Sequence, residues 1–276
     1  MLYLCATPIG NLGDITLRVL ETLKTVDLIA AEDTRHTIHL LNHFEIKTPM
    51  TSYHEYNKYE KADILVKKMQ QGAKVALVTD AGTPGISDPG EELVKRSIAA
   101  GVRVTSLPGP AACITALTMS GLSTRRFAFE AFLTADKKER KQILEEMKRE
   151  TRTMILYEAP HHLKNTVEEL LNALGDRTVT VCRELTKIHE SAEMWKLSSY
   201  LEFLGENEPR GEYVLVIEGK PVEELRKEEI QKWEELSVEE HMAYYESEGY
   251  TQKEAMKLVA KDRGVSKREI YQQMKV

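Results

Sequence analysis

The first 120 or so residues alternate short β-rich runs with helical patterns, and few folds accommodate that order. Apolar stretches at Leu2–Ala6, Leu28–Ala31, Val75–Thr79 and Val102–Leu107 are strand-length. Between them Thr16–Thr25, Thr34–Phe44, Asn57–Gln71 and Gly90–Ala99 carry apolar residues three or four apart, the spacing of a one-sided helix. Such alternation predicts a mostly parallel sheet covered by helices. Gly72 and Gly101 each follow a predicted helix and precede a strand, where a C-terminal cap belongs.

A second unit begins beyond the turn-rich Gly121-Leu122-Ser123-Thr124. Strands are expected at Phe127–Leu133, Thr153–Tyr157, Thr178–Arg183, Ala192–Lys196 and Tyr213–Glu218, with helices at Asp136–Glu150 and His161–Leu174. Several of these strands adjoin without an intervening helix, which predicts a mixed sheet. After Gly219 the composition changes. Residues 221–250 carry ten acidic against three basic side chains, and residues 251–276 carry seven basic against three acidic. Thr251 and Ser266 are placed to cap two short helices around Arg263-Gly264-Val265, either a helix-turn-helix-like unit or a small helical tail packing on the body. The expected division is an N-terminal α/β domain over 1–121, a C-terminal α/β domain over 122–220 and a helical extension over 221–276.

Composition removes several classes. With 42% hydrophobic and 30% charged residues, the chain has the balance of a folded soluble protein. No apolar run approaches the roughly 20 residues that span a bilayer. The N-terminus reads as a first strand rather than a signal peptide. Cys5, Cys113 and Cys182 are scattered through apolar segments, as buried thiols in a reducing, cytoplasmic compartment would be. The net charge of −6 argues against coating nucleic acid by bulk attraction, but a local basic surface such as Lys137–Arg152 could still bind RNA.

Chemistry in open α/β sheets collects beyond the carboxyl ends of the strands. Three such ends are rich in glycine and proline: Thr7–Asp14, Asp80–Gly90 and Pro108–Ala111. Glycine lets backbone approach a ligand, and proline fixes a loop in advance. Neither G-x-G-x-x-G nor G-x-x-x-x-G-K-[ST] occurs, so the dinucleotide fingerprint and the phosphate-binding loop are absent. The loops suit some other nucleoside-like ligand. Glu32, Asp33, Arg35, Glu184 and Lys187 sit in polar clusters at expected strand ends and are the candidate catalytic residues. A lysine made neutral by a neighbouring cation could act as a base, and Arg183 lies near Lys187 in sequence. Alternatively, Arg35, Glu184 and Lys187 form ion pairs. His36, His39 and His43 share one helical face, read as an exposed polar face rather than a metal site.

The ordered motifs Thr7-Pro8-Ile9-Gly10-Asn11-Leu12-Gly13-Asp14, Ala31-Glu32-Asp33-Thr34-Arg35, Asp80–Gly90, Leu107-Pro108-Gly109-Pro110, Tyr157-Glu158-Ala159-Pro160-His161, Arg183-Glu184-Leu185-Thr186-Lys187 and Gly211–Gly219 resemble the tetrapyrrole methylase superfamily, and within it the branch acting on small-subunit ribosomal RNA. The resemblance covers about residues 1–219. It implies two α/β domains with a helical extension, S-adenosylmethionine (SAM) as methyl donor, and a homodimer. It also implies 2′-O-methylation of a cytidine in the decoding region of 16S rRNA, on RNA or on the small ribosomal subunit. By the same resemblance Asp80, Ala81, Gly82, Thr83, Ser87, Pro108, Gly109, Pro110 and Ala111 contact the donor, with Pro8 and Gly10 nearby. The family pattern Phe-Leu-Pro-x-Lys-x-x-x-Arg is represented by Phe132-Leu133-Thr134-Ala135-Asp136 and Arg140, and His162 stands where the family usually has arginine. Two other functions remain open: methylation of a tetrapyrrole small molecule, and non-catalytic RNA binding or ribosome assembly.

Overall fold

A computed structural model describes residues 1–234 and 236–274; Glu235, Lys275 and Val276 of the expected extension lie outside the described residues. Five parallel strands build the first sheet: β1 (Leu2–Cys5), β2 (Leu28–Ala31), β3 (Met50–Ser52), β4 (Val75–Val78) and β5 (Val104–Leu107), in the order β3-β2-β4-β1-β5. Strands buried on both faces read as continuous apolar runs, and β4, Val-Ala-Leu-Val, is buried throughout. Helices α1 (Leu17–Thr25), α2 (Thr34–His43), α3 (Lys58–Gln70) and α4 (Gly90–Ala99) make the crossovers. Alternate strand side chains point to opposite faces. Leu2 and Leu77 accordingly pack with Leu65 of α3 and Leu93 of α4. Cys5, Ile29 and Ala76 pack with Val19 and Leu23 of α1 and Leu41 of α2. Burying each such leucine contributes roughly 1.5–3 kcal/mol.

The crossovers start and stop where the sequence indicates. Thr16 caps α1 by accepting from the Val19 N–H, and Asp33 caps α2 by accepting from the Arg35 N–H. Gly72 and Gly101 follow α3 and α4 with φ of +101° and +72°. Because all five strands run in parallel, their carboxyl ends, and the loops that follow them, share one edge of the sheet.

Next comes α5 (Ala112–Met119), which packs on the second sheet. That sheet contains β6 (Phe127–Ala131), β7 (Thr153–Glu158), β8 (Thr178–Arg183), β9 (Ser191–Lys196) and β10 (Tyr213–Ile217), in the order β6-β7-β10-β8-β9. Only β6 and β7 pair in parallel, joined by α6 (Lys137–Arg149); the other pairs are antiparallel, so the sheet is mixed. Cys113, Ala116 and Leu117 of α5 share a core with Ile155, Cys182, Val214 and Val216. Helices α7 (Pro160–Leu174) and α8 (Leu197–Glu206) pack against each other. All three cysteines are buried and free, and burial pushes the Cys5 thiol up to about 12 and the Cys182 thiol up to about 11.

Contacts group residues 1–145 and 153–218 into one unit holding both sheets, and residues 146–152 and 219–276 into another. In the latter, α9 (Val222–Glu234), α10 (Val238–Ser247), α11 (Gln252–Asp262) and α12 (Lys267–Gln273) follow in sequence. Val238, Met242, Ala255, Val259 and Ile270 form its core. Ser237 with Glu240, and Ser266 with Glu269, make reciprocal capping boxes, and Gly264 turns the chain between α11 and α12 at φ +65°. Among the described residues no helix is long and apolar enough to cross a membrane.

Candidate active site

The loops at the carboxyl edge of the first sheet are fastened to one another. Thr7 and Gly82 exchange two backbone hydrogen bonds, at 2.9 and 3.0 Å, and the Thr7 hydroxyl donates to the Thr79 carbonyl. The Thr79 hydroxyl donates to Glu32 Oε2 at 2.5 Å, and the Asp33 N–H donates to Asp80 Oδ1 at 3.0 Å, so the ends of β2 and β4 are tied as well. Thr83 Oγ1 donates to the Pro110 carbonyl at 2.8 Å, linking the loop after β4 to that after β5. Within the former loop, Asp88 accepts from the N–H groups of Gly85, Ile86 and Gly90, holding Ser87 at φ +63°.

Between these loops and the second sheet lies a cavity of about 460 Å³. Asp80, Ala81, Gly82, Thr83, Ser87 and Ala111 line one side; Tyr157, Glu158, Leu185 and Val214 line the other. Its acid content is high: Glu32, Asp80, Asp88, Glu158 and Glu212 all reach it, and among the described residues no lysine or arginine does. Glu158 is 7% exposed, with its oxygens accepting from the Ala159 N–H and the Thr166 hydroxyl. Behind it Arg140 donates to that same Thr166 hydroxyl and pairs with Glu169 at 2.6 Å. Arg140 therefore supports the cavity wall. Asp136, where the family pattern has lysine, accepts from the N–H groups of Lys138 and Glu139 and so caps α6.

A second cavity, of about 420 Å³, adjoins the first, sharing Ile9, Thr79, Asp80, Ala81 and Glu212 with it. Pro8, Gly10 and Lys187 line this one, as do His36, His39 and His43. The histidine face is exposed, as the sequence suggests, but it also borders a cavity; no cluster suited to a metal ion occurs among the described residues.

Lys187 stands at the junction. Its Nζ lies 3.0 Å from Glu184 Oε1 and 2.8 Å from Glu212 Oε2. Burial opposes its charge, but the hydrogen bonds it donates to Glu212 and Glu184 outweigh this and raise its pKa above the usual lysine value. For Glu184, burial pushes the carboxyl up, while Lys187 and the Glu212 N–H prevail and hold it below the usual range. Arg183 donates instead to the Arg210 carbonyl, and of the two arrangements the sequence leaves open for Lys187 the geometry shows the ion-paired one, its ammonium clasped by two carboxylates. The surrounding backbone is tightly specified. Glu184 and Thr186 adopt φ of +52° and +67°, and a Cβ at Gly10 would stand 2.5 Å from Lys187 Cγ. Strained residues of this kind persist only where surrounding contacts over-determine them.

The structure thus distributes the expected site residues unevenly. Glu32 reaches the first cavity, Lys187 reaches the second, and Glu184 holds Lys187 from behind. Asp33 and Arg35 engage each other; the Arg35 side chain is 90% exposed, and its hydrogen bonds draw the Asp33 carboxyl down to about 2. Pro108, Gly109 and Pro110 line neither cavity. A Cβ on Gly109 would stand 2.7 Å from Ala6 Cβ, so this glycine allows β1 and the β5 loop to approach. The motif reading did not single out Glu212, Leu185, Thr37 and Val214, which line the cavities, because their place depends on how the second sheet and α2 meet the loops.

Residues 1–200 match the profile of the Tetrapyrrole (Corrin/Porphyrin) Methylases. The chain belongs to the tetrapyrrole methylase family. Its relatives in this family include ribosomal RNA small subunit methyltransferase I of Halalkalibacterium halodurans, 49% identical, with 98% of this chain and 93% of the relative covered. The proteins of that name from Bacillus subtilis (48% identical; 98% and 92% covered) and Synechocystis sp. (46%; 99% and 96%) are similar throughout. Among solved structures, diphthine synthase matches with a TM-score of 0.59 at 14% identity, covering 79% of this chain and 89% of that one. A uroporphyrin-III C-methyltransferase from Thermus thermophilus, complexed with S-adenosyl homocysteine, matches with a TM-score of 0.56 at 19% identity, covering 79% and 96%. These structural matches establish the tetrapyrrole methylase fold for the two-sheet unit.

Proposed function

We propose that the protein transfers a methyl group from SAM to the 2′-hydroxyl of a cytidine ribose in the decoding region of 16S rRNA, working as a cytoplasmic homodimer. Full-length similarity to proteins named for small-subunit rRNA methylation supports the substrate class. The observation that carries the donor assignment is the carboxylate-lined first cavity. SAM holds a sulfonium and an ammonium group, and five acidic side chains with no lysine or arginine among the described lining residues favour such a ligand over a phosphorylated cofactor. A volume of about 460 Å³ falls in the range of roughly 300–1,000 Å³ typical of small-molecule sites. Ile9, Ala111, Leu185 and Val214 offer apolar surface for a nucleoside base.

When bound, SAM supplies a methyl group on a positively charged sulfur, and its transfer to a hydroxyl forms a C–O bond and releases a thioether and one proton. The chain's share is to orient the reactants and manage that proton. Two carboxylates, Asp80 and Glu212, border both cavities, and the proton acceptor in this reading is Glu212, the one that pairs with Lys187. Lys187, held protonated beside Glu212, steadies negative charge developing on the attacking oxygen. Glu184 positions Lys187, and Glu32 fixes the end of β4 through Thr79.

The test uses labelled SAM and small ribosomal subunits lacking the modification. Alkaline cleavage needs a free 2′-hydroxyl, so the product should show one new alkali-resistant cytidine. Label on a base, with normal alkaline cleavage, would defeat the ribose assignment. Label on a porphyrinoid instead of RNA would move the acceptor to a small molecule. Sedimentation of the purified protein checks the dimer.

A further inference from the structure

The two adjoining cavities differ in charge and chemistry. Acidic side chains dominate the first, whereas the second opposes Lys187 and the imidazoles of His36, His39 and His43 to Asp80 and Glu212. Imidazoles supply hydrogen-bond donors to phosphate oxygens that carboxylates cannot. Those three histidines repeat along the exposed face of α2, and Leu12 and Leu40 add apolar surface beside them. A separate observation marks the same place as incomplete. Thr37 lines the second cavity and is 2% exposed, yet its hydroxyl has no hydrogen-bond partner among the described residues. Most buried polar atoms are satisfied, and one that is not calls for an explanation such as a missing ligand or water.

We propose that the second cavity is the acceptor site and takes a single ribonucleotide of the RNA strand. Its sugar lies toward the shared rim at Lys187 and Glu212, and its phosphate lies against the histidine face. The assignment rests on the methyl-transfer reading for the first cavity and adds the location of the second substrate. The shared rim explains why two cavities are needed: a hydroxyl held there borders the donor cavity without its phosphate entering the acidic one. A volume of about 420 Å³ is enough for one nucleotide but not for a stretch of duplex, so the nucleotide must leave its stack.

The test separates this site from the donor site. The combined variant His36→Ala, His39→Ala, His43→Ala alters exposed side chains only, and Leu40→Trp fills the cavity from a half-buried position. With small ribosomal subunits as acceptor, each should raise the KM for the subunit about tenfold or more, with SAM affinity by calorimetry unchanged within about twofold. Unchanged KM in both variants overturns the proposal, as does an equal loss of SAM affinity, which would merge the cavities into one donor site. A second readout does not depend on methyl transfer. In the protein loaded with S-adenosylhomocysteine, adding cytidine 5′-monophosphate should shift the ring-proton resonances of His36, His39 and His43, and Leu40→Trp should abolish the shifts. Should the wild-type protein methylate no RNA, the function proposed above falls, and these resonances still decide the site: shifts uphold it, and their absence overturns it.

Discussion

A methyl group added at Gly10 would stand 2.5 Å from Lys187 Cγ, 2.8 Å from Thr186 Oγ1 and 3.0 Å from the Leu185 carbonyl. Gly10→Ala should displace the Leu185–Lys187 segment and lower stability by about 1–3 kcal/mol, as overpacking does. Methyl transfer should fall alongside. Gly205, inside α8 with nothing within 4 Å of its would-be Cβ, is the control: Gly205→Ala should stabilise by about 0.5–1 kcal/mol. Denaturant midpoints for the two variants check the contrast. Lys187 invites a second measurement. Because its pKa is raised, its charge is complete below the ordinary lysine value of about 10.4 and is lost only as pH climbs beyond that. Lys187→Met should cut kcat by about 10²–10³-fold, the effect of removing one charge-stabilising donor, and leave SAM affinity intact. The wild-type profile should show no rising limb from this lysine between about pH 7 and 9; a limb there that Lys187→Met removes would mean a neutral lysine base. The glycine and proline loops are legible in sequence because each follows a strand directly. Glu212 and Thr37 are not: their neighbours come from distant segments, and no local spacing encodes those meetings.

Elements with strong one-sided patterns are the legible ones. Helices α1 to α4 fall within a residue or two of the expected bounds, because each has an apolar stripe and a cap or glycine stop. The three-residue β3 is too short for its period to register, and it follows Pro49. Helix α5, Ala-Cys-Ile-Thr-Ala-Leu-Thr-Met, is mostly apolar and has two β-branched threonines, so no stripe announces it, and Ile114 and Met119 stand exposed on the face away from the second sheet. Helix α9 escapes for the opposite reason, being dominated by charge. In α10, His241 is fully buried, stacked on Trp233 at 3.9 Å and on Tyr245 at 5.4 Å, with Nδ1 accepting from Arg263 and Asp262 lying 3.4 Å from Nε2. Burial, reinforced by Arg263, lowers its pKa; Asp262 only partly offsets this. The unfolded chain therefore binds a proton more readily than the folded one. Stability from this group is complete above about pH 6.5 and is lost as pH falls toward the lowered folded value. Amide exchange in α10 and α11, corrected for intrinsic rates, should accelerate between about pH 7.5 and 5.5. His241→Phe, which keeps the aromatic stack, should flatten that dependence; an unchanged dependence would assign the acid sensitivity elsewhere.

At the scale of the whole molecule, the alternating pattern anticipates the parallel sheet, and the adjacent strands anticipate the mixed one. The partnership of α5 with the second sheet is less visible, since Cys113, Ala116 and Leu117 precede the glycine turn at Gly121 yet pack against β7, β8 and β10. Every described residue lining either cavity precedes Gly219, so neither cavity draws a described lining residue from the helices that follow. Their contribution is open to a direct test. In α11 and α12, Lys253, Lys257, Lys261, Lys267 and Arg268 are exposed, whereas Arg263 is occupied with the Leu236 and Ser237 carbonyls and with His241. Deleting residues 221–276 should leave SAM affinity intact and weaken binding of the small subunit. Each phosphate that those cations no longer neutralise should flatten the salt dependence of log affinity by about 0.9 on duplex RNA, taking the duplex-DNA value, or about 0.7 on a single strand. Thermal stability is a poor judge here. The deletion also strips partners from Glu146–Arg152, which belongs with residues 219–276, and Gly219 packs so closely on Thr151 that a Cβ would collide with its carbonyl. Some loss on heating is thus expected whether or not the helices touch RNA, and the salt slope is the discriminating measurement. An unchanged slope and affinity would make residues 221–276 a packing element alone, while loss of SAM binding would place part of the donor site beyond both cavities.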